Sequence, residues 1–271
     1  MMFETQLRKE MLKIAHLCYD RNLLVAMDGN LSVRLPSGDI LCTRAGCHKG
    51  MLTDEDLVVI DKMGQLKRGT GTPTSEMEMH LACYRARPDV KAVIHAHPPM
   101  SVAFTIAGMT LDHCVLPEVV LTLGSIPTLP YKRTGTSDLA AQIGDAIVKH
   151  DAVLMDRHGA VCVGTSLLEA FCRLETMEHS AKIIKNAHDF GQIKVLEPQE
   201  AVQLRSMGLK RYGGAPEAVK QADSPTADLP NVCMTCSAEA VHSAQDLEKE
   251  LVQATLKALQ VQLVKGKTLR G

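Results

Sequence analysis

Neither sign of charge dominates this sequence: 30 lysines and arginines stand against 31 aspartates and glutamates, a formal net charge of −1. A chain so balanced carries no field that would gather nucleic acid or an anionic membrane surface. Long apolar runs are missing too. No window approaches the roughly 20 apolar residues of a membrane span, and residues 1–10 lack the apolar core of a signal peptide. Nine cysteines are present, yet nothing about them resembles a disulfide framework. Cys18, Cys83, Cys114, Cys162 and Cys172 lie within apolar runs, which predicts reduced, buried thiols. These absences predict a cytoplasmic protein. What remains is ordinary globular material: 271 residues, 45 % apolar and 23 % charged, enough for one large domain with an appendage.

Residues 4–22 place Leu7, Met11, Ile14, Ala15 and Cys18 at helical spacing and predict an amphipathic packing helix. Gly29-Asn30 opens a strand over 31–35, and Pro36-Ser37-Gly38-Asp39 turns it into a second over 40–43. A third covers 57–61, with a turn at 62–65. A helix over 75–87 carries Glu76 in its first turn. Residues 92–97 read as a strand, and Pro98-Pro99 starts a helix to residue 105. Residues 114–121 and 126–129 read as short extended pieces, and Thr136-Ser137-Asp138 caps a helix to residue 149. Strands over 152–155 and 160–163 flank His158-Gly159. A long helix fills 166–190, with His179 and His188 expected on solvated or packing faces, and a last helix covers 199–208. Hairpins with helices before, between and after predict an α/β/α layered fold around one mostly antiparallel sheet.

The chemistry gathers at the edges of these elements. In Ala92-Val93-Ile94-His95-Ala96-His97-Pro98-Pro99 two histidines stand two residues apart at the end of a strand, so both imidazoles point to one side. A second strand runs into Arg157-His158-Gly159, and Glu76 sits where a helix begins. Singly these have plain readings: a satisfied polar histidine, a first-turn acid favoured by the helix dipole. Together, His95, His97, His158 and Glu76 are the inventory of a catalytic zinc site.

Four ordered motifs carry a further likeness: Asp28-Gly29-Asn30-Leu31-Ser32-Val33-Arg34, Pro73-Thr74-Ser75-Glu76 followed by His80, Arg87-Pro88-Asp89 running on to His95-Ala96-His97, and Arg157-His158-Gly159. In these the chain resembles the class II aldolase/adducin family, most closely its sugar-phosphate aldolases of the L-fuculose-1-phosphate type, over residues 4–210. The resemblance implies one Zn2+ per chain, bound by His95, His97 and His158. Glu76 would ligate the metal at rest and act as general acid/base when a ketose 1-phosphate is cleaved to dihydroxyacetone phosphate and an aldehyde. The ion would serve as the Lewis acid for the enediolate, with no Schiff-base lysine. It also implies a phosphate site at Gly29-Asn30, Ala45-Gly46 and Thr74-Ser75, and a homo-oligomer, a tetramer in related enzymes.

The chain departs from the pattern in three places. Ala45 stands where a hydroxyl is usual, and Arg44 where proline is usual. Arg44 is either a charge-assisted phosphate contact or a surface charge. The family's mid-chain tyrosine is missing from Leu116-Pro117-Glu118-Val119, leaving Glu118 or Tyr131 as substitutes. Same-fold alternatives remain open: a sugar-phosphate dehydratase, decarboxylase or 4-epimerase, or a non-enzymatic adducin-like interaction protein.

After residue 210 the character changes. Residues 211–236 read as a Pro/Gly-bearing linker with Cys233-Met234-Thr235-Cys236, which lacks a second pair to complete a metal site. Residues 237–271 read as an amphipathic helix with Leu247, Leu251, Val252, Leu256, Leu259 and Leu263 on one face. That tail either packs on its own domain or a sister subunit, or resembles an encapsulation peptide that docks on a bacterial microcompartment shell protein.

Overall fold

A computed structural model describes residues 2–214. The Cys233/Cys236 pair and the amphipathic stretch 237–271 lie outside the described residues. Eight strands form one sheet: β1 (Asn30–Arg34), β2 (Ile40–Thr43), β3 (Leu57–Ile60), β4 (Leu66–Arg68), β5 (Ala92–Ala96), β6 (Thr128–Leu129), β7 (Ala152–Met155) and β8 (Gly159–Gly164). Their spatial order is β4-β3-β2-β1-β5-β8-β7-β6. Every neighbouring pair is antiparallel except β6 with β7. Seven α-helices accompany it among the described residues: α1 (Met2–Asp20), α2 (Met77–Ala86), α3 (Pro99–Ile106), α4 (Pro117–Thr122), α5 (Ser137–Ile147), α6 (Leu167–Phe190) and α7 (Pro198–Tyr212).

The period-2 alternation of the strands separates two cores. On one face Leu31, Val33, Leu41, Ile94 and Cys162 pack with Met11 and Ile14 of α1, Phe104 of α3, and Leu174 and Met177 of α6. On the other, Cys42, Val58, Val93, Val153 and Val161 pack with Leu81 and Cys83 of α2 and with Leu139, Ile143 and Ile147 of α5. Each such fully buried aliphatic side chain contributes about 1.5–3 kcal/mol. The result is the expected α/β/α layering around a mostly antiparallel sheet. Among the described residues no helix is long and apolar enough to cross a membrane.

Several expectations need correction. Residues 117–122 are helical, not extended: Pro117 occupies the first turn, where its missing N–H costs nothing, and Val119 and Val120 are buried. Cys172 is exposed, because α6 turns it away from the core that holds Phe171 and Leu174. Cys18, Cys83, Cys114 and Cys162 are buried as expected, and so are Cys42 and Cys47; burial pushes the Cys42, Cys83 and Cys162 thiols up to about 12. Glu76 is the residue that precedes α2 rather than a member of its first turn. α7 reaches Tyr212, two residues into the stretch expected as linker. β4 was not expected at all; its three residues are exposed at the sheet edge.

Candidate active site

The alternation that builds the cores also places polar residues. Leu31 and Val33 face one core, so Asn30 and Ser32 of β1 face the other, toward α2; β5 does the same with Val93 and His95. Asn30 and His95 are cross-strand partners. Glu76, His80 and Tyr84 are spaced i, i+4, i+8, one face of α2 and its preceding residue.

His95 is fully buried, and its Nδ1 lies 3.0 Å from the carbonyl oxygen of Ala160 on β8. A carbonyl only accepts, so Nδ1 carries a proton, and Nε2 is the ring atom left to face the site. His97 lies one residue beyond β5. His158 follows Arg157, whose backbone is left-handed at φ +55° and whose N–H donates to Thr105 Oγ1 at 3.0 Å. Potential ligand atoms of His95, His97 and His158 all fall within 4.8 Å of one another. Glu76 Oε2 lies 3.1 Å from His95 Nε2, and Oε1 3.3 Å from His158 Nε2.

Two glycines let these elements approach. A Cβ on Gly159 would stand 2.5 Å from both the Ala96 carbonyl oxygen and His97 Cδ2. Gly29 has φ +70°, and a Cβ there would meet the His95 carbonyl oxygen at 2.7 Å. Both positions require the missing side chain.

The donor set fits a divalent ion. His95 Nε2 and His97 Nε2 are buried without a hydrogen-bond partner of acceptable angle, an expensive state unless another ligand takes the lone pairs. Burial and the neighbouring His95 and His158 push the His97 imidazole down to about 3, so it stays neutral, as a ligand must be. For Glu76, burial pushes the carboxyl up, but His158, His95 and Asn30 outweigh it and hold the group well below the usual carboxylate range.

Beside this cluster opens a cavity of about 640 Å³. Its walls include Gly29, Asn30, Ala45, Gly46, Thr74 and Ser75, together with Glu76, His97 and His158. All six residues expected around a phosphate therefore line one space. Arg44 also lines it, paired with Asp56 at 2.6 Å. Two further cations, Lys49 and Arg157, stand in its walls. Lys49 is buried and donates to the carbonyls of Met27 (2.8 Å) and Cys47 (3.0 Å), tying together the two loops that carry Gly29 and Gly46. Arg157 pairs with Asp156 at 2.9 Å and stacks over Tyr131. Nothing in a single sequence marks a loop lysine as buried. Of the two tyrosine substitutes, Tyr131 stands against a wall residue of the cavity, whereas Glu118 lines a separate groove with Arg21, Glu175 and His179. His179 and His188 are exposed on α6, apart from the site.

The match to the Class II Aldolase and Adducin N-terminal domain spans residues 9–184, and the chain belongs to that family. An L-fuculose phosphate aldolase of Methanococcus vannielii is 35 % identical over 175 residues, 65 % of this chain and 93 % of the relative. A 3-oxo-tetronate 4-phosphate decarboxylase of Escherichia coli K12 is 34 % identical over 207 residues, 75 % of this chain and 97 % of the relative. The crystal structure of YgbL from Escherichia coli superposes with a TM-score of 0.71 at 33 % identity, covering 75 % of this chain and 99 % of that one. The chain is thus a class II aldolase superfamily enzyme, and the relatives named above include both an aldolase and a decarboxylase.

Proposed function

We propose that this protein is a zinc-dependent aldolase that cleaves a ketose 1-phosphate of the L-fuculose or L-rhamnulose type to dihydroxyacetone phosphate and an aldehyde. One observation supports the reading: the clustered His95, His97 and His158, with Glu76 against His95 and His158, adjoin a cavity lined by Glu76, His97 and His158 together with Gly29-Asn30, Ala45-Gly46 and Thr74-Ser75. On this reading the histidines would hold the metal and the paired loop residues would hold the phosphate.

The bound ion would supply Lewis acidity for the enediolate left when the carbon–carbon bond breaks. The three imidazoles would hold it, His95 aimed by Ala160 and His97 kept neutral by burial. Thr74 and Ser75 precede α2, whose N-terminal dipole would favour the phosphate, and Lys49 braces the two other loops. Glu76 is held ionised, so it can take a proton and return it to the carbon of the dihydroxyacetone half. Tyr131, beside Arg157, is the phenol we assign to the aldehyde oxygen.

Arg157 also supports a second reading. A cation next to His158 suits a substrate with a carboxylate at the end opposite its phosphate, as in 3-oxo-tetronate 4-phosphate, the substrate in the name of the E. coli relative. Loss of CO2 from such a substrate leaves the same kind of enolate anion. The discriminating experiment offers the metal-loaded protein a panel of ketose 1-phosphates and 3-oxo acid 4-phosphates, monitoring dihydroxyacetone phosphate and CO2. Release of dihydroxyacetone phosphate supports the aldolase; CO2 release with no cleavage of any ketose 1-phosphate overturns it in favour of the decarboxylase.

A further inference from the structure

Beneath Glu76 a string of polar side chains runs into the core. Asn30 Nδ2 donates to Glu76 Oε2 at 3.0 Å, and Asn30 Oδ1 lies 2.5 Å from His80 Nε2. His80 Nδ1 lies 2.6 Å from Ser32 Oγ, which lies 2.8 Å from the Tyr84 hydroxyl. His80 and Ser32 are fully buried and Asn30 is 3 % exposed, so bulk water cannot substitute for any link.

Donor and acceptor rules give this string one direction. An ionised carboxylate only accepts, so it is the amide nitrogen of Asn30 that must face Glu76. Asn30 Oδ1 is then an acceptor, and the proton between it and His80 sits on Nε2. A neutral imidazole has one N–H, which leaves Nδ1 bare to accept from the Ser32 hydroxyl; Ser32 Oγ accepts in turn from Tyr84. Burial, with a smaller push from His95, takes the His80 imidazole down to about 3, in keeping with the neutral ring. Turning the Asn30 carboxamide over would set two acceptors against each other beside Glu76 and two donors against each other at His80 Nε2.

We propose that His80, as its Nε2–H tautomer, is a positioning residue that locks the Asn30 carboxamide so that its N–H is delivered to Glu76. The inference rests on the reading of Glu76 as the acid/base group. It also divides the duty of Asn30: one amide N–H serves Glu76, so at most the other is available to a phosphate. An apolar residue at position 80 would fill the space and leave Asn30 free to turn. Glutamine keeps an N–H close to where Nε2 stands, together with an acceptor.

The test uses the metal-loaded full chain labelled with 15N-histidine, and the variants His80→Leu and His80→Gln. NMR of the unaltered protein at neutral pH should show His80 protonated on Nε2 and bare on Nδ1. His80→Leu should lose about 10–100-fold in kcat, the scale of lost outer-shell support, with KM and metal content near those of the unaltered protein. His80→Gln should recover most of that loss. An Nδ1–H tautomer overturns the proposal whatever the variants do, and decides alone if His80→Leu does not fold. Equal loss in both variants, with fold and metal intact, overturns it too. Failure of the underlying reading looks different: Glu76→Gln would then turn over normally and remove the role in turnover, while the tautomer would still report the string.

Discussion

The Nδ1–H of His95 donates to the backbone carbonyl of Ala160 at 3.0 Å, across the antiparallel ladder of β5 and β8. The partner is main chain, so the tautomer and aim of this imidazole are fixed by sheet pairing rather than by a second side chain that could turn. Histidine ligands characteristically find such an outer partner. Here the same ladder brings Gly159 beneath His97, which makes strand pairing and site geometry one problem.

Removing Glu76 and removing a histidine should have separable effects. Glu76→Gln is expected to keep most of its metal and lose turnover, because an amide cannot carry the proton. His95→Ala and His158→Ala are expected to lose metal and turnover together. Metal analysis and steady-state rates on the same preparations check both; near-normal rates in Glu76→Gln would show that the carboxylate moves no proton.

Gly159→Ala should damage the site without touching a ligand. Its Cβ would collide with backbone at the Ala96 carbonyl oxygen and with the His97 ring, and the backbone cannot yield without disturbing β5. We expect metal affinity to fall about 10–100-fold, measured by competition with a chromophoric chelator. Unchanged affinity would mean that the His97 ring has room to move.

Asp151 tests the scaffold. It is fully buried, accepts from Arg87 Nη1 at 2.6 Å and lies 3.3 Å from Arg173 Nη2. Asp151→Ala leaves two buried guanidiniums short of a counter-charge and should cost about 3–5 kcal/mol in urea unfolding. The fraction that remains folded should keep its metal.

The depressed pKa of His80 ties stability to pH. Folded protein keeps this ring neutral down to about 3, whereas the unfolded chain takes up a proton below its ordinary 6.5. Stability from this residue is therefore complete above 6.5 and is lost as pH falls toward 3, by about 1.4 kcal/mol per unit. Metal-stripped protein should lose about 2 kcal/mol more than His80→Gln between pH 7.5 and pH 5. Parallel pH profiles for the two would contradict a neutral buried His80.

Much of this was legible because the signals were local and periodic. The apolar strand ending in His95 and His97, the turn at His158-Gly159 and the long α6 all showed their period. α4 did not: six residues are too few for a 3.6-residue repeat, and Val119-Val120 imitates a strand. β4 offers three exposed residues with no alternation. Cys172 sits in an apolar run, but only the helix phase reveals that it faces out. At the site, Glu76, His80 and Tyr84 at four-residue spacing were readable as one face. Their partners Asn30 and Ser32 come from a strand more than 40 residues earlier, and that pairing is tertiary information. Lys49 became visible only once two loops had closed over it.

The central claim is that His95, His97 and His158 hold one catalytic divalent ion. Calorimetric titration of zinc into chelator-stripped protein, with turnover assayed at each point, tests it most directly. We expect saturation at one ion per chain and activity rising in proportion to occupancy. Full turnover in excess chelator, with no zinc taken up, would contradict it.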